Sequence, residues 1–121
     1  MNELVNEILK RYQPPFMVIG VTGSVSVGKS TFANNLASLF HQENLTASVI
    51  STDDFMMSND ILLAAGIFEQ KGFPQTYDLD RMATVIRDFK AGRERIEIPL
   101  YTQELADIHP TQLQTITRPN I

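Results

Sequence analysis

The sequence predicts an α/β fold in which helices flank a parallel sheet, and three observations lead to this prediction. Two short and nearly continuous apolar runs, at 16–23 and 46–52, are typical of strands that are buried on both faces. A helical pattern lies between the two runs, and a glycine-rich turn joins the first run to that helix. Strand, loop, helix and strand in this order form a βαβ unit, which is almost always right-handed.

Helical periodicity is clear in two segments of the first half of the chain. Apolar residues recur at helical spacing from Leu4 to Tyr12, and Pro14-Pro15 ends this helix. The helix after the glycine-rich turn carries one apolar stripe, which consists of Phe32, Leu36, Leu39 and Phe40. We expect these two helices to cover the apolar faces of the predicted sheet.

The second half of the chain predicts shorter elements. A short helix is expected around 60–65, and a longer one follows the N-capping residue Asp78 and ends at Gly92. The inward face of the longer helix is predicted to consist of Leu79, Met82, Val85, Ile86 and Phe89. The run 95–101 alternates like an edge strand stopped by Pro99, and 111–121 has room for one more short strand.

Composition limits the class of protein. With 121 residues and 43% hydrophobic content, the chain suits a single domain spanning 1–121. A net charge of −4 argues against nucleic-acid binding, and no apolar run approaches the roughly 20 residues that span a bilayer. The absence of cysteine excludes disulfides and thiolate metal sites. We expect a cytoplasmic protein that binds neither nucleic acid nor membranes.

The motif with the most specific chemistry is the stretch GSVSVGKST, which follows the first predicted strand and opens a helix. Glycine, four residues, glycine, lysine and serine is the pattern of a loop whose backbone N–H groups hold phosphates. Lys29 is expected to reach the β- and γ-phosphates of ATP, and the Ser30 hydroxyl to bind Mg²⁺. The predicted nucleotide-binding residues are Gly23, Ser24, Val25, Ser26, Val27, Gly28, Lys29, Ser30 and Thr31.

Two carboxylates, Asp53 and Asp54, follow the second predicted strand. Ligands of open α/β sheets gather outside the carboxyl ends of the strands, so we expect both residues on the edge that carries the phosphate loop. A carboxylate there can accept a proton from an attacking hydroxyl or join the Mg²⁺ shell through water. It can equally cap the next turn or lie in solvent, and the pattern alone leaves these alternatives open.

Four motifs, in order, resemble those of the bacterial type I pantothenate kinases: GSVSVGKST, STDDF, KGFPQTYDLDRM and IPLYTQELADI. This family belongs to the phosphate-loop kinases, together with uridine kinase and phosphoribulokinase. The resemblance runs from about residue 15 to residue 121. It implies a phosphate-loop kinase-like fold and transfer of the ATP γ-phosphate to the hydroxyl of pantothenate, the first step toward coenzyme A.

The resemblance also implies roles for individual residues. Asp53 falls at the general base of the family, and Tyr101 falls at a tyrosine that contacts pantothenate. Lys71, Gly72 and Phe73 belong to a motif to which we assign a positional role. Because the family commonly dimerises, a homodimer is expected as well.

The chain departs from the family pattern at three positions. Asp54 replaces a glycine and adds a second negative charge beside Asp53. Gln103 replaces a histidine that contacts substrate; it can hydrogen-bond but cannot titrate. Asn34 stands where the family tends to have an arginine that helps bind coenzyme A as a feedback inhibitor.

A fourth departure concerns length. In the family, a segment like RPNI runs into a strand that lies between the two strands predicted here and ends in a metal-serving glutamate. A lid with substrate-binding residues follows. We therefore expect an incomplete sheet, without the C-terminal strands and lid, in a fragment or truncated product that is inactive alone. Either the slot between the predicted strands stays empty or the short last strand fills it.

Three hypotheses of function follow from the sequence. The first is a pantothenate kinase, and the second is a kinase of another small alcohol such as a nucleoside, which Asp54 and Gln103 motivate. The third is a non-catalytic module that binds a nucleotide or a partner. Turnover of a particular alcohol, or nucleotide binding without turnover, distinguishes them.

Overall fold

The computed structural model describes residues 2–22 and 28–121, and it divides into two compact units. Unit 1 contains residues 1–49 and 119–121, whereas unit 2 contains residues 50–118. Unit 1 is thus built from two separate stretches of chain, and unit 2 from one. That residues 1–121 form a single partial domain stays a prediction.

Unit 1 contains two helices, α1 (Asn2–Arg11) and α2 (Lys29–Gln42). Both agree with the predicted periodicity. Glu3 in the first turn of α1, with Lys10 and Arg11 in its last turn, complements the helix dipole. The prolines at 14–15 follow α1 closely, as expected for residues that cannot continue a helix.

The core of unit 1 lies where α1 and α2 meet. Val5, Leu36 and Phe40 are its buried residues, and Phe40 is only 1% exposed. The predicted stripe of α2 is therefore correct at Leu36 and Phe40, whereas Phe32 at the start of the helix is 37% exposed. Partly buried apolar residues complete the cluster: Ile8, Leu9, Ile19, Leu39, Leu45, Ala47 and Ile121.

The two predicted parallel strands of unit 1 are not formed as regular strands in the described residues. Instead, residues 119–121 contact both segments through the backbone. The Met17 N–H donates to the Asn120 carbonyl at 2.8 Å, and the Ile121 N–H donates to the Thr46 carbonyl at 3.0 Å. The Ser48 N–H in turn donates to the Ile121 carbonyl at 3.0 Å. Ile121 thus bonds to Thr46 through its N–H and to Ser48 through its carbonyl, which is the hydrogen-bond pattern of two parallel strands.

The physical reason for the missing strands is the small number of paired residues. Only the three residues 119–121 lie between the two predicted strands, so the first strand gains one backbone hydrogen bond from them and the second gains three. Val18 and Val49 remain 48% and 45% exposed, although both were expected to be buried on both faces. The slot is thus neither empty nor filled by the last strand: the RPNI segment enters it.

Asn120 strengthens this connection with its side chain. Its Oδ1 accepts hydrogen bonds from the Thr46 N–H at 2.9 Å and from the Thr46 hydroxyl at 3.0 Å. The Asn120 N–H donates to the Thr46 backbone carbonyl at 2.9 Å. One side chain therefore fixes the end of the chain to a segment 74 residues earlier.

Unit 2 contains two α-helices, α3 (Asn59–Ala64) and α4 (Leu79–Lys90), and three short 3₁₀ turns, at Thr52–Phe55, Phe68–Gln70 and Pro74–Thr76. Ser58 caps α3 by accepting the Ile61 N–H, and Asp78 caps α4 by accepting the Arg81 N–H, as predicted. Val85 and Phe89 face the core. Leu79 is 53% exposed, so its predicted inward orientation is wrong because the first residue of the helix lies beside the cap.

The sheet of the described residues is an antiparallel hairpin of β1 (Arg95–Thr102) and β2 (Asp107–Thr117). Ile96 and Ile98 of β1 are buried. The register shifts between Pro99 and Tyr101, where four residues of β2 (109–112) lie opposite Leu100 alone. The His109 ring accepts the backbone N–H groups of Thr111 and Gln112 and so satisfies two donors of this bulge. The predicted edge strand forms, but the expected stop at Pro99 is wrong, because the bulge takes up the irregularity and pairing resumes at Tyr101. The last strand is longer than expected.

Candidate functional site

The start of α2 carries the part of the phosphate motif that the structure describes. Gly28 precedes the helix at φ 71°, a left-handed conformation that favours glycine. The first helical hydrogen bond runs from the Phe32 N–H to the Gly28 carbonyl, at 3.0 Å. Predicted nucleotide-binding residues 23–27 (Gly23, Ser24, Val25, Ser26 and Val27) lie outside the described residues.

The N–H groups of residues 29–31 have no acceptor in the described part of the chain, because helical bonding begins with Phe32. The first turn of α2 contains no acidic residue and no side-chain cap. Lys29 is half-buried there, whereas Ser30 and Thr31 are exposed. Free N–H groups, the positive helix end and a lysine fit the phosphates of ATP, and an exposed hydroxyl fits a Mg²⁺ ligand.

In unit 2 the candidate base Asp53 lies in a short 3₁₀ turn, Thr52–Phe55. The Ser51 hydroxyl begins this turn by accepting the Asp53 N–H at 3.2 Å. The Asp53 side chain is half-buried, and its Oδ1 accepts a hydrogen bond from the Tyr77 hydroxyl at 3.4 Å. An oriented carboxylate with one oxygen still available can accept a proton from a substrate hydroxyl.

Sequence reasoning did not single out Tyr77, although the residue lies in the KGFPQTYD motif. An isolated antiparallel bridge pairs Tyr77 with Met56, and the Asp78 N–H donates to the Phe55 carbonyl at 2.7 Å. These contacts join the end of the motif to the residues that follow Asp53. The KGFPQTYD motif was the one signal in the sequence that could have pointed to Tyr77, and its last residues contact the turn that contains Asp53.

Burial raises the pKa of the Tyr77 phenol above its ordinary value, and the nearby Asp53 carboxylate raises the pKa further. The folded protein therefore holds the Tyr77 proton more tightly than the unfolded chain does. It follows that the stability contributed by this group is lost as the pH rises beyond about 10, through the raised pKa.

We expect the variant Tyr77→Phe to lack this alkaline loss of stability, since it has no phenol to ionise. The measurement is the midpoint of urea unfolding at neutral pH and at several values above pH ~10. Tyr12→Phe, in unit 1, is the matched control and should retain the loss. An identical alkaline decline in the Tyr77→Phe variant and the unmodified chain would show that Tyr77 is not its cause.

The second carboxylate of the pair, Asp54, behaves differently from Asp53. It is 8% exposed, and its Oδ1 accepts the Tyr101 backbone N–H at 3.0 Å. The side chain thus contacts β1, and not solvent. Neither of the alternatives considered from the sequence, a cap or an exposed side chain, describes this arrangement.

The predicted substrate residue Tyr101 is half-buried and lies beneath a cation. Lys71 Nζ is 5.2 Å from the centre of the Tyr101 ring and 5.9 Å from the centre of the Phe68 ring. The same Nζ donates to Asn59 Oδ1 at 2.9 Å and to the Ala106 carbonyl. Lys71 therefore joins α3 to the turn after β1, which supports the positional role proposed for its motif.

Gln103, the other predicted substrate residue, is exposed in the turn after β1. The structure thus brings four site residues of unit 2 into one connected set: Asp53, Tyr77, Tyr101 and Lys71. Among residues 2–22 and 28–121, no cluster of three or more acidic or histidine side chains is suited to a metal ion. In the same ranges, no helix has the length and apolar character needed to cross a membrane.

The phosphate motif at the start of α2 and the fold around it define the class as an α/β phosphate-loop kinase fold. A solved structure from Silicibacter sp. TM1040, named as a candidate fructose transport system kinase, superposes with a TM-score of 0.78 at 26% identity. The superposition covers 93% of this chain and 56% of the Silicibacter chain. The sequence profile of the phosphoribulokinase / uridine kinase family matches residues 18–121, and the chain belongs to this family.

Curated relatives point in the same direction. A pantothenate kinase of Rhodopseudomonas palustris (strain BisB18) is 43% identical over 106 residues, which is 86% of this chain and 33% of the relative. A pantothenate kinase of Lactococcus lactis subsp. cremoris (strain MG1363) is 40% identical over 114 residues, which is 93% of this chain and 37% of the relative. The chain thus spans about a third of the length of these relatives.

Proposed function

We propose that this chain supplies the ATP-binding residues and the catalytic carboxylate of a kinase that converts pantothenate to phosphopantothenate, the first step toward coenzyme A. The observation that carries the proposal is the Asp53 carboxylate, oriented by Tyr77 in a short turn, in a chain similar to pantothenate kinases. It agrees with the base assignment that the resemblance implied.

The residues at the start of α2 hold the phosphates in this proposal. The N–H groups of residues 29–31, with the Lys29 ammonium, bind the β- and γ-phosphates, and the Ser30 hydroxyl binds Mg²⁺. ATP with Mg²⁺ supplies the transferable phosphoryl group and disperses its charge when bound. The chain's own contribution here is to orient the phosphates with donors that have no acceptor among residues 2–22 and 28–121.

Asp53 has the chemical task in unit 2. Its carboxylate accepts the proton of the substrate hydroxyl as that oxygen attacks phosphorus, so no phosphorylated enzyme forms. The Tyr77 hydroxyl donates to one carboxylate oxygen and leaves the other for the substrate. Tyr77 thereby limits rotation of the carboxylate without taking the proton itself.

The charge of Lys71 favours an anionic alcohol such as pantothenate. In the described part of the chain, ion pairs join only Lys10 to Glu7 and Arg93 to Asp88. The acceptors of the Lys71 ammonium beside Tyr101 are a neutral amide and a neutral carbonyl, so no described carboxylate forms an ion pair with it. A substrate carboxylate would gain from this charge, whereas a nucleoside would not.

The test is ADP release with ATP, Mg²⁺ and one of three alcohols: pantothenate, uridine or fructose. Two proteins are compared, namely the 121-residue chain and the same residues fused to the remaining C-terminal part of the Lactococcus lactis relative. We expect the fusion to release ADP with pantothenate and the chain alone to be inactive. If only uridine or only fructose stimulated ADP release, that alcohol would be the substrate in place of pantothenate.

Calorimetric titration of both proteins with ATP and Mg²⁺ separates binding from turnover. We expect saturable binding that Lys29→Ala weakens about 10-fold or more, because a charge-assisted contact contributes about 1.5–3 kcal/mol. Asn34→Ala, one turn further along α2, is the control and should bind normally. Binding in the fusion without turnover of any alcohol would favour a non-catalytic nucleotide-binding module.

A further inference from the structure

The buried carboxylate of Asp54 is the feature that the proposed mechanism does not use. A charged side chain that is 8% exposed requires a compensating partner, and here the partner is the Tyr101 N–H at 3.0 Å. We propose that Asp54 is a positioning residue, which fixes the turn bearing Asp53 to the strand bearing Tyr101. The inference deepens the proposed function and rests on it for its catalytic meaning.

The turn itself is short and internally bonded, so a fixed point at Asp54 also fixes Asp53. The Asp54 N–H donates to the Ser51 carbonyl at 3.2 Å, and the Met56 N–H donates to the Asp53 carbonyl at 3.1 Å. These two bonds span the whole 3₁₀ turn. Adjacent residues in such a turn cannot move independently, because both share the same few backbone torsions.

The two side chains of the turn reach two different tyrosine positions. Asp53 accepts from the Tyr77 hydroxyl, and Asp54 accepts from the Tyr101 backbone. The turn is thereby held from two sides, by the loop that precedes α4 and by β1. Losing the Asp54 contact would leave the Asp53–Tyr77 hydrogen bond to carry the orientation of the base alone.

The place of the contact on β1 supports a positioning role. Tyr101 follows the register shift at Pro99, where the regular ladder between β1 and β2 is interrupted. An irregular point of a hairpin has fewer backbone restraints than a regular ladder. A side-chain acceptor at that point therefore fixes the backbone of Tyr101, and with it the position of the Tyr101 ring beneath the Lys71 ammonium.

The chemistry distinguishes positioning by hydrogen bonding from an effect of charge. Asparagine has the length of aspartate and keeps the Oδ1 acceptor without the charge, whereas alanine has neither. If Asp54 acts by accepting the Tyr101 N–H, Asp54→Asn should resemble the unmodified chain. If it acts through charge, Asp54→Asn should resemble Asp54→Ala.

The experiment is backbone-amide NMR on the 121-residue chain and its variants, with no catalysis required. We expect the Tyr101 amide to exchange with solvent about 10-fold faster or more in Asp54→Ala, because a buried N–H loses its acceptor. Asp54→Asn should restore slow exchange, and the control Asp60→Ala, at an exposed aspartate of α3, should leave it unchanged. Equal exchange in Asp54→Ala and the unmodified chain would overturn the proposal.

A second readout follows the geometry of Asp53. Because the Asp53 carboxylate helps to raise the Tyr77 pKa, a displaced turn should move the Tyr77 phenol titration toward lower pH in Asp54→Ala. Burial, Asp53 and Tyr101 raise the pKa of that phenol, and a hydrogen bond with Thr52 lowers it; Asp54→Asn changes none of these influences directly. An unmoved Tyr77 titration in a folded Asp54→Ala variant would refute the link to Asp53.

A third measurement keeps the test decisive if Asp54→Ala does not fold. A scalar coupling across the hydrogen bond, between the Tyr101 amide nitrogen and the Asp54 carboxyl carbon, should be detectable in the unmodified chain. The coupling should persist in Asp53→Asn, and its absence from the unmodified chain would contradict the contact. Failure of the kinase assay leaves all three NMR results intact, so the two proposals fail separately.

Discussion

Replacing Asp53 by asparagine is expected to lower the rate of phosphoryl transfer to pantothenate about 10²–10⁴-fold, the usual contribution of a general base. Asparagine preserves the size of the side chain and its ability to accept from Tyr77, but it does not accept a proton. The Michaelis constant for ATP should change little, because the phosphate-binding residues are untouched. The measurement is steady-state ADP release in whichever of the two proteins above turns over pantothenate.

Asp80→Asn is the matched control for this experiment. Asp80 is an exposed carboxylate in the first turn of α4, and its substitution removes one negative charge from the same unit. We expect it to leave the rate within about twofold, as for a surface charge remote from the chemistry. A loss of rate in Asp80→Asn as large as in Asp53→Asn would indicate that net charge, and not proton transfer, is responsible.

Replacing Phe40 by alanine is expected to reduce the free energy of unfolding by about 3–5 kcal/mol. Phe40 is 1% exposed between α1 and α2, where Val5 and Leu36 are the other buried residues, so truncation leaves a cavity in the centre of unit 1. A loss of this size is a large fraction of the total stability of a small protein. Urea unfolding followed by circular dichroism measures it.

Phe32→Ala, on the same helix, tests whether burial is the cause. Phe32 is 37% exposed, and we expect its truncation to cost about 1 kcal/mol or less. Phe40→Leu should be intermediate, because it removes part of the ring volume while keeping an apolar side chain. Similar losses for the variants Phe32→Ala and Phe40→Ala would contradict the placement of Phe40 in the core.

The helices could be predicted from the sequence because their signals are local. Apolar spacing within one turn, an N-cap such as Asp78 and a glycine such as Gly92 act over a few residues. Whether the runs at 16–23 and 46–52 form regular strands could not be predicted in this way, because a buried parallel strand needs neighbours along its whole length. In the described part of the chain, residues 119–121 provide that neighbour for only a few positions.

The candidate site shows the same division. Asp53 was proposed from the expected end of a strand and from the family resemblance, and Tyr101 from the resemblance; both assignments stay predictions. The contact of Asp54 with the Tyr101 N–H could not be predicted, because it joins residues 47 apart across a bulge that the sequence does not reveal. The hydrogen bond of Tyr77 to Asp53 is likewise set by tertiary packing, over 24 residues.

The division of unit 1 into two stretches has a consequence for synthesis on the ribosome. Residues 50–118 form unit 2 from one continuous stretch of chain, so the whole unit has been synthesised once residue 118 has emerged. The backbone bonds that join 16–18 to 46–48, by contrast, pass through residues 119–121, which are made after the whole of unit 2. Although domains usually fold in order from the N-terminus, here unit 1 must wait for residues 119–121, and unit 2 can be synthesised in full first.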